Sequence, residues 1–166
     1  MGTIFVDFQK AFDCVSHSIP LHKLEHNFGI TRNLLAWLRD YLSDWEQYTV
    51  IKGAHSENTK VAHGIPQGSV LGPILFALYT SDLPKAVNTA TAFLYTDDTT
   101  MYCVGESVDQ VTATLNKALE ELARWCKHNS LVPDPKKCQG MILKRNHFIG
   151  PLGSLKINQH LMVLKL

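Results

Sequence analysis

Residues Phe93-Leu94-Tyr95-Thr96-Asp97-Asp98-Thr99-Thr100-Met101-Tyr102 place two adjacent carboxylates inside an apolar, β-prone run. Segments rich in aromatic, aliphatic and threonine side chains form strands, so the polar interruption predicts a hairpin over Thr91 to Val104. Tight hairpins prefer Asn-Gly or Asp-Gly at the turn, because the backbone there needs positive φ. Asp97-Asp98 is poorer turn chemistry and adds like-charge repulsion. Two readings remain open: a solvated polar turn, or a pair whose charge a cation neutralises. Either reading commits the chain to a sheet with an acidic tip.

A second acidic interruption lies near the start, in Phe5-Val6-Asp7-Phe8-Gln9-Lys10-Ala11-Phe12-Asp13. Thr3 to Phe8 reads as a short apolar strand, and a carboxylate near its end costs folding energy unless solvated, paired or metal-bound. The plainer alternative is a helix N-cap. A third feature is the loop His63-Gly64-Ile65-Pro66-Gln67-Gly68-Ser69, followed by Val70-Leu71-Gly72-Pro73. Its glycines permit close backbone approach and Pro66 stiffens it. It leads either into a simple buried helix or into a helix N-terminus facing a phosphate or nucleotide.

Around these features the patterning predicts helices over Pro20–Phe28, stopped by Gly29, and after Thr31, with Leu34, Leu35, Leu38 and Leu42 on one side. Tyr48–Lys52 and Thr59–Ala62 read as strands joined by a polar turn over Gly53–Asn58. Ser69–Ser81 reads as an apolar helix ended by Pro84. Ser107 and Gln110 form a capping box, opening a helix to about His128 with Val111, Leu115, Leu119, Leu122 and Cys126 along one stripe. Gln139–Lys144 is a final strand, and the tail after Asn146 is weakly patterned. Strands and helices mix without strict alternation, which predicts an α+β fold: one antiparallel sheet with helices on one face.

At 166 residues and 45% apolar the chain suits one domain with a real core. The apolar run Val70–Tyr79 falls well short of the ~20 residues of a membrane helix. The first residues lack a basic signal-peptide region, and Val6 stands where a myristoylation signal wants Ser or Thr, so neither secretion nor membrane anchoring is expected. Cys14, Cys103, Cys126 and Cys138 are scattered without zinc spacing and read as reduced, buried thiols of an intracellular protein. The net charge of +1 is low for a free-standing nucleic-acid binder. It suits a core whose basic flanking parts lie elsewhere.

Two Mg²⁺ ions about 4 Å apart can align and neutralise a phosphoryl transfer. Mg²⁺ takes oxygen ligands and keeps several waters, so a few aspartates suffice. An aspartate ending one strand and a pair on a neighbouring hairpin could share such a site.

The strand Phe5-Val6-Asp7-Phe8 with Lys10-Ala11-Phe12-Asp13, the loop Gly64-Ile65-Pro66-Gln67-Gly68-Ser69 with Leu71-Gly72-Pro73, and the hairpin Tyr95-Thr96-Asp97-Asp98 occur in that order. They resemble motifs A, B and C of reverse transcriptases, most of all non-LTR (LINE-type) retrotransposon enzymes, and Trp125–Lys137 resembles motif D. The resemblance implies a polymerase-type palm with a ferredoxin- or RRM-like βαββαβ core over residues 1–145. Residues 146–166 would then be a tail leading toward a primer grip and thumb, with fingers and thumb belonging to a longer product.

The same resemblance implies an RNA-directed DNA polymerase acting on an RNA template, a DNA primer and deoxynucleoside triphosphates, in the nucleus or cytoplasm. Asp7, Asp97 and Asp98 would be catalytic ligands of two Mg²⁺ ions, or of Mn²⁺ in their place. Lys137 would donate a proton to the leaving pyrophosphate, and the backbone at Phe8 would pass close to the triphosphate. The Phe12 ring would exclude a 2′-OH, and Gln67 and Gly68 would contact the incoming nucleotide and template region. Three positions depart from the family pattern: Thr96 stands for the usual Ala, and Asp134 and Cys138 for the Asn and Thr of motif D.

The alternatives are a catalytically silent retrotransposon remnant or a non-enzymatic binding module. An RNA-binding domain of βαββαβ shape would stack bases on sheet aromatics flanked by basic residues. Here acidic residues stand where the bases would lie.

Overall fold

The computed structural model describes residues 1–66, 68–144, 147–151, 156–158 and 161–163, those from 144 onward by backbone alone. In chain order the elements are β1 (Gly2–Val6), α1 (Ser18–Phe28), α2 (Arg32–Tyr41), β2 (Glu46–Gln47), β3 (Val50–Ile51), β4 (Ala54–His55), β5 (Thr59–Lys60) and α3 (Gly72–Thr80). They continue as α4 (Leu83–Ala86), β6 (Thr91–Tyr95), β7 (Asp98–Cys103), α5 (Val108–His128), β8 (Gln139–Lys144), β9 (His147–Pro151), β10 (Lys156–Asn158) and β11 (Leu161–Val163). The chain divides into two compact units, residues 1–11 with 80–166, and residues 12–79.

The first unit is built on a five-stranded sheet of order β6-β7-β1-β8-β9, with every neighbouring pair antiparallel. The helix α5 crosses from β7 to β8 and leaves β1 between them. This is the α+β arrangement that the patterning predicts. Strand alternation sends Ile4, Val6, Met101 and Cys103 to a buried face, against which α5 packs. All five residues of the predicted α5 stripe are buried. Helix and sheet come so close that a Cβ on Gly2 would lie 2.5 Å from Val111 Cγ1 and 2.7 Å from Leu115 Cδ1. The opposite face leaves Phe5, Phe93 and Tyr95 exposed, and the Phe93 ring stacks on Tyr102 at 5.8 Å.

The helix α5 begins as its sequence requires. Ser107 Oγ accepts from the Gln110 amide at 3.2 Å. The Gln110 side chain reaches back one residue further than a standard capping box, to the Glu106 amide at 3.0 Å. The strand β9 pairs with β8 across a register irregularity between Met141 and Ile142.

In the second unit α1 starts at Ser18, two residues before Pro20, and ends at Gly29 with φ 66°. Thr31 has the extended backbone of an N-cap, but its side chain makes no capping bond to α2. Leu35, Leu38 and Leu42 are buried, whereas Leu34 is exposed, so the apolar stripe is narrower than predicted. The predicted strand pair over Tyr48–Ala62 is corrected to two nested pairs, β2 with β5 and β3 with β4. Positive φ at Lys52 and Gly53 lets the chain turn back after Ile51 and makes the inner pair. The helix α3 starts at Gly72 rather than Ser69. Ser69 Oγ accepts from the Gly72 amide at 3.0 Å and donates to the Pro66 carbonyl at 2.7 Å, acting as a cap outside the helix. The helix α3 ends at Thr80, and Pro84, predicted to end it, sits instead in the first turn of α4, where its missing N–H costs nothing. No helix among the described residues is long and apolar enough to cross a membrane.

Candidate active site

The acidic end of the first unit follows from strand register. Gly2 faces Cys103, Ile4 faces Met101 and Val6 faces Thr99. The pairing ends there; Asp7 follows Val6 and Asp98 precedes Thr99, so continuing the register would set those two opposite each other. Residues that face each other across antiparallel strands share one side of the sheet, so both belong to the side away from α5. Tyr95 pairs with Asp98, which makes Thr96 and Asp97 the two turn residues. The predicted Asp97-Asp98 turn is therefore shifted by one: Asp97 is in the turn and Asp98 opens β7. Thr96 takes the positive φ, 53°, an unusual setting for a β-branched residue. Its hydroxyl offsets part of that strain by bonding the Tyr95 carbonyl at 2.7 Å and Asp97 Oδ1 at 3.0 Å.

On its other side Asp7 is gripped by the segment after α5. The Asp7 carbonyl accepts from the Asp134 amide at 2.8 Å, and the Gln9 amide donates to the Val132 carbonyl at 2.8 Å. Phe8 bridges to Pro133 and is buried. The turn from Asp134 to Cys138 closes through the Lys137 and Cys138 amides onto the Asp134 carbonyl, at 3.1 and 3.0 Å. Lys137 Nζ then reaches Asp7 Oδ1 at 3.1 Å. The hydrogen bond and charge of Asp7, aided by Asp134 and Asp97, raise the Lys137 pKa above its ordinary value.

The two departures in motif D are used here. Asp134 Oδ1 accepts from the Lys136 amide at 3.0 Å, a role an Asn carbonyl would also fill. The Cys138 thiol points at the Asp7 carbonyl, 3.8 Å away, where a hydroxyl could also donate. A short polar residue at each position was the available sequence signal, but their contact with Asp7 spans more than a hundred residues.

The remaining candidates lie in the second unit. The Phe12 ring stacks on buried Phe76 with centroids 4.5 Å apart. The Phe12 carbonyl accepts from the Ile65 amide at 2.9 Å, and the Val15 carbonyl accepts from the Gly64 amide at 2.8 Å. The His17 ring bonds the Gly64 carbonyl at 2.7 Å, a contact that nothing in the sequence indicated. Gly64 has φ 97°, and a Cβ there would stand 3.1 Å from the Asp13 backbone. The loop that contains Gly68 is thus laced to the chain just after Phe12; Gly68 itself has φ 81°. Gln67 lies outside the described residues.

An all-oxygen donor set of Asp7, Asp97 and Asp98 suits a hard divalent cation. Among the described residues, however, no three acidic, His or Cys side chains converge closely enough to hold a metal ion. The carboxylates share one end of the sheet, and the cation found against Asp7 is the Lys137 ammonium. The donor chemistry fits such an ion, and the Lys137 ammonium stands against one oxygen of Asp7.

Residues 2–155 match the family described as reverse transcriptase (RNA-dependent DNA polymerase). The chain belongs to that family. Among its reverse transcriptase relatives, it is 31% identical over 143 residues to a probable RNA-directed DNA polymerase from transposon BS of Drosophila melanogaster. It is 30% identical over 144 residues to the RNA-directed DNA polymerase from mobile element jockey of the same species. These matches take in 82% and 81% of this chain but 16% and 15% of those proteins, so the chain spans about a sixth of their length. Mobile-element relatives agree with the LINE-type character of the motifs. An apo telomerase from Candida tropicalis, truncated from its C-terminal domain, matches with a TM-score of 0.66 at 13% identity, covering 99% of this chain and 35% of the telomerase. That likeness supports the palm-type fold of this reverse transcriptase chain.

Proposed function

We propose that this chain is the palm of an RNA-directed DNA polymerase, extending the 3′-OH of a DNA primer with deoxynucleotides on an RNA template. The observation that carries the proposal is that β1 and β7 are paired to Val6 and Thr99, so that Asp7 follows the one strand and Asp98, beside Asp97, opens the other. Asp7, Asp97 and Asp98 are the residues to hold two Mg²⁺ ions, or Mn²⁺. Bound there, such ions would lower the pKa of the attacking hydroxyl and neutralise the triphosphate.

The chain's own groups do the rest. The Lys137 ammonium stays protonated beside the carboxylates and can pass a proton to the leaving pyrophosphate. The backbone at Phe8, next to Asp7 in the chain, is assigned to the triphosphate. The Phe12 ring, stacked on Phe76, is assigned to exclude a 2′-OH. Gln67 and Gly68 are assigned to the nucleotide and template region. Residues 1–145 are assigned to the palm and 146–166 to the segment leading toward primer grip and thumb, with fingers and thumb supplied by a longer product. The setting is intracellular, nuclear or cytoplasmic, where a nucleic-acid template is found.

A second reading, a catalytically silent remnant or binding module, is favoured by the Lys137–Asp7 pair, which engages one ligand in advance. Primer extension on an RNA template with Mg²⁺ separates the two. The wild-type chain should incorporate deoxynucleotides, and Asp97→Ala should lose more than the ~10–100-fold that outer partners of a metal site cost. No incorporation by the wild type supports the silent reading, and equal incorporation by Asp97→Ala overturns the assigned role.

A further inference from the structure

The Lys137–Asp7 pair differs from an ordinary surface ion pair in how its lysine is mounted. The turn that carries Lys137 is tied to the backbone of its own partner, through the Asp134 amide on the Asp7 carbonyl at 2.8 Å and the Cys138 thiol at 3.8 Å. The Lys137 backbone is closed onto Asp134 by a further bond of 3.1 Å. The root of the side chain is therefore held at a constant place relative to Asp7, while its length is free: 60% of the Lys137 side chain is exposed, against 30% for Asp7. The carboxylate the ammonium touches is that of Asp7, at 3.1 Å, with Asp134 and Asp97 adding attraction from farther off. An ammonium and a divalent cation both seek the same oxygen lone pairs, and they repel each other.

We propose that Lys137 is the resident counter-ion of Asp7, displaced when a divalent cation takes that carboxylate. Before loading, it offsets the repulsion among the carboxylates and holds the Asp7 side chain toward the motif D turn. On displacement the ammonium remains tethered near the site and becomes free to pair with the substrate triphosphate. Lysine delivery and cation loading become one event. The inference rests on Asp7 being a metal ligand, as proposed above.

The test is titration of the whole chain with Mn²⁺ alone, reading free Mn²⁺ by electron paramagnetic resonance. Lys137→Gln should bind Mn²⁺ roughly two- to fivefold more tightly than wild type, the range an exposed ion pair supplies. Lys137→Arg keeps the charge and should stay near wild type. Lys136→Gln removes an equal charge from the neighbouring exposed position and should change affinity less than Lys137→Gln does. Asp7→Asn should weaken binding. If Lys137→Gln and Lys136→Gln tighten binding equally, or Lys137→Gln does not tighten it, the counter-ion role fails while the metal site stands. If Asp7→Asn titrates like wild type, the metal reading of Asp7 fails as well.

Discussion

Single residues at this site are chosen by backbone conformation as much as by chemistry. Thr96 holds a left-handed turn through its hydroxyl, the Asp134 side chain closes the motif D turn onto the Lys136 amide, and the Cys138 thiol fastens that turn to the Asp7 carbonyl. Gly64 is the sharpest case, since φ 97° strains any L side chain and the Asp13 backbone, 3.1 Å from an added Cβ, would have to give way. Gly64→Ala should cost about 1–3 kcal/mol, seen as a lower urea midpoint with an unchanged slope. A midpoint equal to wild type would show that the loop relaxes freely. The aspartates themselves were evident in the sequence because carboxylates in apolar strands are costly. The partner of Asp7 was not, because Lys137 is 130 residues away along the chain.

Among the elements, α5 carries the first unit's core and shows how local signals add to packing. Its N-cap is a single exposed hydrogen bond, so Ser107→Ala should destabilise the chain by about 1 kcal/mol and lower Tm by a few degrees. A second tie is Glu121, whose carboxylate accepts from the Thr89 amide at 3.0 Å and from the Thr89 hydroxyl at 2.5 Å. Burial pulls the Glu121 pKa up, but the bonds from Thr89 and Asn88, with Lys117 nearby, outweigh it and bring the carboxyl below its usual value. A depressed folded pKa means stability that is present above the unfolded value and lost as pH falls through the folded one. Wild type should therefore exceed Glu121→Gln in stability near neutrality, and the gap should close between about pH 5 and pH 3. A gap independent of pH would assign the effect to the side chain's shape instead.

At the scale of the whole molecule the thiols report on folding. Cys103, Cys126 and Cys138 are buried and Cys14 is half-exposed. Burial, with Cys138 close by, pushes the Cys126 thiol up to about 12, and burial also raises Cys103 and Cys138. Since the thiolate is the reactive form, a disulfide reagent should modify Cys14 in the native chain and the other three only on unfolding. Fast modification of Cys126 without denaturant would show that the α5 face of the first unit opens readily.

The sequence by itself determined the elements of strong period: the hairpin around the acidic pair, the α5 stripe with its cap, the strand before Asp7, and the three motifs that mark the family. Those signals are local, carried by side-chain alternation and by residues at most four apart. Tertiary structure alone decided that β1 lies between β7 and β8, that the strand pair over Tyr48–Ala62 nests, and that Lys137 sits on Asp7. The place of β1 and the Lys137–Asp7 contact join segments far apart along the chain, so no short window of the sequence contains both partners, whereas the nested pairs are exposed and turn on the positive φ at Lys52 and Gly53, which the pattern of side chains does not report.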